Sequence, residues 1–270
     1  LDPGSTSQSD WGYTLQGAIS HSWQRPSAMR LGESTARLGW NSQASVYYKG
    51  YNKLTDYNLG VFTLATGPSL IIGNGWRGNL NAQADMLTLG DKDLALYSSL
   101  SPSATWRVGA SAELSVDGQW VYRDFKRTED EGRSGRYRSL GVGFGNLFNN
   151  NKLALQIGMR LFDENARVSR FTNDGHEVFI SARQRMWEGG DLFARGALRH
   201  SSYNGIEPLY GKARSETEQR IELGASHQFQ AGWMDKWQLS GTYTHIHNEA
   251  NLSLYGYDRD LVQIALGRSY

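Results

Sequence analysis

The sequence predicts an all-β chain: a transmembrane antiparallel up-and-down β-barrel of about 14 strands. Three observations carry that prediction. Segment after segment alternates apolar with small or polar residues at period 2. Connections alternate between short turns and mostly longer, more charged loops, as periplasmic turns and extracellular loops do. The 270 residues are polar on average, with a mean hydropathy of −0.56, yet hold 14 Tyr, 9 Trp and 31 Gly. Alternating lipid-facing and lumen-facing residues cancel in any such average.

Residues 1–10 read as a lead-in or linker remnant, and residues 11–270 as the barrel domain. The chain opens on Leu1 with no signal peptide, so a processed or excised origin is expected. From Trp11, one phase carries Trp11, Tyr13, Leu15, Gly17, Ile19 and His21, and the other Gly12, Thr14, Gln16, Ala18 and Ser20. Residues 24–34 read as a loop. Two strands are expected next, at about 34–41 and 43–52, broken near Asn41 and Ser42. After a turn at Lys53–Asp56, a strand carries Tyr57, Leu59, Val61 and Thr63 in one phase. Thr66-Gly67-Pro68-Ser69 reads as the turn that ends it. Strands follow at about 76–88 and 94–108, joined at Gly90-Asp91-Lys92-Asp93, with Pro102 as a bulge or edge irregularity.

Beyond residue 110 the alternation sharpens. Leu114, Val116, Gly118, Trp120 and Tyr122 oppose Glu113, Ser115, Asp117, Gln119 and Arg123. A charged loop at 125–136 leads to Leu140, Val142 and Phe144 against Ser139, Gly141, Gly143 and Gly145. Asn149-Asn150-Asn151 turns the chain into Leu155, Ile157, Met159 and Leu161 against Gln156, Gly158 and Arg160. Strands then center on Val178–Arg185, Leu192–Arg199, Arg220–Phe229 and Trp237–Thr244, with loops at about 163–174, 203–217 and 248–256. In the last strand Val262, Ile264, Leu266, Arg268 and Tyr270 oppose Gln263, Ala265, Gly267 and Ser269. An even count would place both chain ends on the periplasmic side, with the last strand closing against the one beginning near Trp11. Arg268 interrupts the apolar phase and would snorkel to the interface.

The alternative is a soluble β-sandwich or a lipocalin-like barrel. Its outward phase would be a solvated Lys/Glu face, whereas here the phase opposite the apolar one is Gly, Ala, Ser, Thr and Gln with sparse Arg and Glu. Charge excludes further classes. With 28 Lys+Arg against 27 Asp+Glu, no nucleic-acid footprint is expected. Cysteine is absent, so disulfide staples and thiolate metal sites are too.

The charged residues of the small and polar phase are the candidate lumen lining: Glu113, Asp117, Arg123, Arg138, Arg160, Glu177, Arg183, Arg195, Arg199, Arg220 and Glu222. They read equally as a conduit wall contacting ions or a client, and as cross-strand ladders that satisfy one another. His245 and His247 share a phase, with Glu249 the only local acid. That set is too thin for a metal or acid–base center, so no catalytic residues, metal or cofactor are expected. The aromatics Trp11, Tyr13, Trp120, Tyr122, Trp187, Trp233, Trp237, Tyr243 and Tyr270 read as interface girdles, with sugar stacking the sharper alternative. Asn251-Leu252-Ser253 is a chance glycosylation sequon.

The ending YGYDRDLVQIALGRSY, through Tyr257, Asp258, Arg259, Val262, Ile264 and Leu266, resembles the Tyr-Asp-(Lys/Arg)-x-x-Val-x-(aliphatic)-x-Leu ending of the surface lipoprotein assembly modulator (Slam) family barrel. Tyr51, Asp56, Tyr57 and Asn58 are similar to that family's early hairpin. The resemblance implies a fourteen-stranded outer-membrane barrel, often preceded by periplasmic tetratricopeptide-like helices. It also implies export of a protein client: a surface lipoprotein, or a secreted haem- or metal-acquisition or host-association protein. The partners expected are outer-membrane lipid, that client and the barrel-assembly machinery, around a monomeric barrel. The alternative function is a polysaccharide-export or diffusion porin. An outer-membrane hydrolase lacks a residue set.

Overall fold

In the computed structural model, which describes residues 10–268, the chain forms one antiparallel sheet of 14 strands. The strands are β1 (Gly12–Gln24), β2 (Met29–Leu31), β3 (Ser34–Tyr51), β4 (Leu59–Ile72), β5 (Trp76–Leu89), β6 (Lys92–Val108) and β7 (Ala112–Phe125). They continue with β8 (Gly135–Phe148), β9 (Leu153–Ala166), β10 (Asn173–Trp187), β11 (Gly190–Glu207), β12 (Lys212–Gln228), β13 (Trp237–Ala250) and β14 (Tyr257–Arg268). Sequence neighbors pair throughout, except that β1 skips to β3 and the three-residue β2 folds back on β3 alone.

The two ends of the sheet differ. At one, the loop end, connections 52–58, 126–134, 167–172 and 251–256 each hold a 3-10 turn. The opposite, turn end is closed mostly by tight turns, at 73–75, 109–111, 149–152 and 188–189. Asn149, Asn150 and Asn151 adopt φ of 51°, 54° and 67° there, a left-handed run that asparagine tolerates better than most residues. A Trp row marks the turn end: Trp23 and Trp40 face each other in register, and the Trp76 and Trp106 rings stack at 5.3 Å.

Several expectations need correction. Residues 34–51 are one strand, because Asn41 and Ser42 pair on both sides, with Ser22 and His21 of β1 and with Gly67 and Thr66 of β4. Thr66-Gly67-Pro68-Ser69 does not turn. The strand runs through it, and only the ladder to β5 lapses there, between Thr66↔Ala82 and Ser69↔Asn79. Proline lacks the N–H for that ladder, and a Cβ on Gly67 would collide with the Leu80 carbonyl, so the pair marks an irregularity within a strand. Pro102 behaves alike, at a gap in the β6–β7 ladder opposite Gly118 and Gln119. The expected loop at 203–217 shrinks to 208–211, since β11 and β12 keep pairing past the membrane band, with a register shift between Ser202 and Ile206.

The strand total agrees with expectation, but its make-up differs: β3 replaces two expected strands and β2 is new. Thirteen long strands alternate in direction, so β1 and β14 run the same way, and Gly12 and Arg268 lie at opposite ends of the sheet. The expected common side for the chain ends does not hold for the described strands. Nor, among the described residues, does any pairing join β1 to β14. Residues 1–9 of the expected lead-in, and Tyr270, lie outside the described residues.

Candidate lumen wall

The two phases of each strand have unlike surroundings. Large apolar residues of one phase are open to the exterior: Leu140 is 56% exposed, Ile157 54%, Ile180 59% and Ile221 51%. These positions adjoin across neighboring strands, giving a continuous apolar band that water would not tolerate on a soluble protein. The opposite phase is small, polar or charged. Its long side chains converge across strands, as they do on the concave side of a curved sheet. Only seven apolar residues are buried among those described: Ala36, Ala95, Val121, Phe162, Ala166, Ile246 and Leu252. There is no dry core between two layers. The sheet is a wall of transmembrane β-barrel type, apolar outside and polar inside.

Ion pairs organize the inner face. Arg160 Nη2 donates to Asp117 Oδ2 at 2.7 Å, from β9 to β7 across β8. Arg123 reaches Glu164 over the same intervening strand. Arg195 pairs with Glu177 at 3.4 Å and lays its guanidinium 4.4 Å from the Phe179 ring center. Near the turn end Arg183 bonds Asp191 at 2.8 Å, and toward the loop end Arg220 bonds Glu218 at 3.0 Å. Glu113 and Glu222 share this inner phase, Glu222 standing in register with Arg195.

Toward the loop end the inner face becomes a belt of arginines seated on rings. Arg123 lies over Tyr97 and Tyr137, at 5.7 and 5.1 Å. Arg199 lies over buried Phe162 at 4.2 Å. Arg214 is sandwiched between Tyr203 and Tyr255, at 3.6 and 4.1 Å, and pairs with Glu216 at 3.4 Å. Such cation–π seats hold a guanidinium extended over the ring face. Tyr255, in the 251–256 loop, has its pKa raised by desolvation first and then by its bond to Glu207, so it stays neutral. None of Tyr97, Tyr137, Phe162, Tyr203, Arg214 or Glu216 stood out in the sequence. Only the register of five strands brings them together.

Arg138 belongs to the other phase. It faces Trp120 and Asp163 in register and shares the outward side with Leu140. The histidine pair also finds different partners from Glu249. His247 Nδ1 is 2.7 Å from Asp258, and His245 Nδ1 is 2.9 Å from Asp260, which also accepts the Tyr243 hydroxyl at 2.6 Å. These contacts lace β13 to β14 on the outward face. No group of three or more metal-ligating side chains assembles among the described residues. Tyr257 bonds Glu218 at 3.2 Å, so the Tyr257-Asp258 pair stitches β14 to its neighbors. The Arg268 guanidinium lies 5.8 Å from the Trp237 ring center at the turn end. Asn251 is committed to the backbone, accepting from Ser215 N at 2.8 Å and donating to Ala213 O at 2.9 Å.

No family model matches the chain, and no curated protein does. Among solved structures it is similar to a "Bacterial polysaccharide outer membrane secretin", at 10% identity and a TM-score of 0.46, covering 88% of this chain and 90% of that one. It is also similar to OccAB3 of Acinetobacter baumannii, at 10% identity and a TM-score of 0.48, covering 98% and 93%. A third is OccK10 (OpdN) of Pseudomonas aeruginosa, at 12% identity and a TM-score of 0.45, covering 99% and 90%. Likenesses at this level assign no function to the chain.

Proposed function

We propose that this chain walls a water-filled, porin-type passage for hydrophilic solutes across the outer membrane. The observation that carries the reading is the accessibility of the inner charges. Asp117 and Arg160 point inward and bond one another, yet their side chains stay 41% and 40% exposed. A plugged or packed interior would bury such a pair. Near the loop end Arg199, which has no bonded acid, lends positive charge to the inner face beside the paired Arg123 and Arg214, suited to steering anionic or polyhydroxylated solutes. The mostly shorter connections of the turn end support a periplasmic placement of that end, with the loop end outward.

The test is reconstitution of the purified protein in planar bilayers. Stepwise, ohmic conductance scaling with salt is expected, and a folded, inserted protein that stays silent would sink the reading. Export of a protein client is the second reading. It is favored by the ending it shares with the Slam-like pattern and by the exposed β14 edge, where Val262 and Ile264 are each 76% exposed. An open strand edge can accept an added strand. Surface display of a co-expressed client that depends on this chain would select it.

A further inference from the structure

Besides Arg268 at the turn end, the apolar outer face carries a pair of arginines toward the loop end. Arg136 and Arg138 continue the outward phase of Phe144, Val142 and Leu140 toward the loop end, and both are exposed. Among the described residues neither makes a hydrogen bond, ion pair or ring contact. Arg136 stands between Tyr122 and Asn165 in register, and Arg138 between Trp120 and Asp163. Asp163 is the acidic group facing this patch, and no ion pair joins it to Arg138. Trp120 and Tyr122 are 56% and 48% exposed, so the arginines are framed by aromatics.

Two grooves flank the pair. One of about 650 Å³ runs beside Arg138 over Pro102, Val116, Gly118, Trp120, Leu140 and Leu161. The other, about 440 Å³, lies over Ser98, Leu100 and Tyr122 and is rimmed by both arginines. Gly118 keeps the first groove open: a Cβ there would stand 3.3 Å from Pro102 Cγ. Arginine on a lipid-facing strand costs stability unless it snorkels to the interface or meets a counter-charge. Phosphate matches the guanidinium fork in charge and geometry.

We propose that Arg136 and Arg138 form a binding site for a phosphorylated glycolipid of the outer leaflet, of the lipid A type. Phosphate esters take the two guanidinium groups, and acyl chains lie in the flanking grooves against Trp120, Leu140 and Leu161. Two cations two residues apart on one strand, about 7 Å, with a groove on each side, suit a headgroup with two phosphates and several chains better than a two-chain glycerophospholipid. The inference rests on the outward orientation of the loop end and is independent of any conduction through the lumen.

The test is native mass spectrometry of the detergent-purified barrel with lipid A, phosphatidylglycerol or phosphatidylcholine. The wild type should retain lipid A preferentially. R136Q/R138Q should lose that retention about tenfold, the scale of the two charge-assisted contacts removed. G118L, which fills a groove and keeps both arginines, should also weaken it. R136K/R138K should fall between, keeping the charge without the fork. Gel mobility of unheated samples identifies folded protein in each case. Undiminished lipid A retention in folded R136Q/R138Q would overturn the proposal, as would equal retention of phosphatidylglycerol by the wild type. Arginine-dependent lipid A binding by a barrel that does not conduct would sink only the passage reading. Conduction without such binding would sink only this one.

Discussion

Arg160 bonds Asp117 across an entire strand, and the residue beneath the bond is Gly141. A Cβ at that position would sit 2.6 Å from Asp117 Oδ1. Phe179 likewise lies over Gly158 of the adjacent strand, its ring 2.5 Å from where a Cβ would stand. The inward glycines therefore serve as floors on which neighboring side chains lie flat along the wall. This differs from their role in turns, where they supply backbone freedom.

That floor predicts an asymmetry between two substitutions at one contact. Asp117→Asn weakens an ion pair that is about two-fifths exposed, and such pairs contribute roughly 0–1 kcal/mol after solvent screening. Gly141→Val forces both partners aside, with an overpacking cost of about 1–3 kcal/mol. Urea unfolding in detergent, followed by tryptophan fluorescence, should rank Gly141→Val as clearly the more destabilizing. Equal effects would mean that the pair does not depend on the glycine floor.

The positive charge of the inner face predicts ion selectivity. Arg199 makes no direct ion pair among the described residues and rests on Phe162, with Glu177 and Glu218 in register on the two neighboring strands, so its charge is held toward the interior without a bonded partner. Arg199→Gln should lower the ratio of chloride to potassium permeability, read from the reversal potential in a salt gradient. Arg183→Gln, at the other end and bonded to Asp191, should move it less. A reversal potential unchanged by Arg199→Gln would place that arginine outside the conducting path.

Much of this wall was legible in the sequence, for a physical reason. A strand with lipid on one side and water on the other must alternate, and from Ala112 to Arg268 that alternation is written almost without interruption. It failed where other signals imitate a turn. Gly67-Pro68 breaks one ladder of a continuing strand, and Asn41-Ser42 is polar yet paired on both sides. Phase assigns a side but not a partner. It could not show that Arg123 meets Glu164 across a strand, nor that Tyr203, Arg214 and Tyr255 stack. Arg138 was misread as inward because its charge was weighed above its phase with Leu140.

A pH effect is expected at the entry to β1. The Asp10 carboxylate accepts from Lys53 N at 2.7 Å, and from Leu54 N and Trp11 N at 2.9 Å each. Desolvation pushes its pKa up, but these bonds, with the Lys53 charge, outweigh it and hold the carboxyl below the ordinary aspartate value. A carboxyl depressed in the folded state stabilizes above its unfolded pKa and loses that contribution as the pH falls through the folded one. The 52–58 loop should thus be held from neutral pH down to about 4, and loosen below it. In hydrogen exchange at neutral pH, Asp10→Asn should expose the Lys53 and Leu54 amides faster than wild type. Unchanged protection would remove Asp10 as the anchor.

The sharpest check on the assignment of inside and outside uses two adjacent residues. Ile157 is 54% exposed in the apolar phase, facing Phe144 and Ile180 across its neighbors. Gln156 is in the opposite phase, between Gly145 and Ser181. If the first phase meets hydrocarbon, Ile157→Lys places a charge in the lipid band and should cost about 2–4 kcal/mol. Gln156→Lys adds the same charge to a wet interior and should cost under about 1 kcal/mol, while shifting selectivity toward anions. Folding into liposomes, titrated with urea, measures both. A soluble sandwich would rank the two positions in the same order, with Gln156 in bulk water and Ile157 in a core, and is told apart by folding in buffer without liposomes. Comparable costs at the two positions would mean that the sheet does not separate lipid from water. The passage and the lipid site would both fall with that separation.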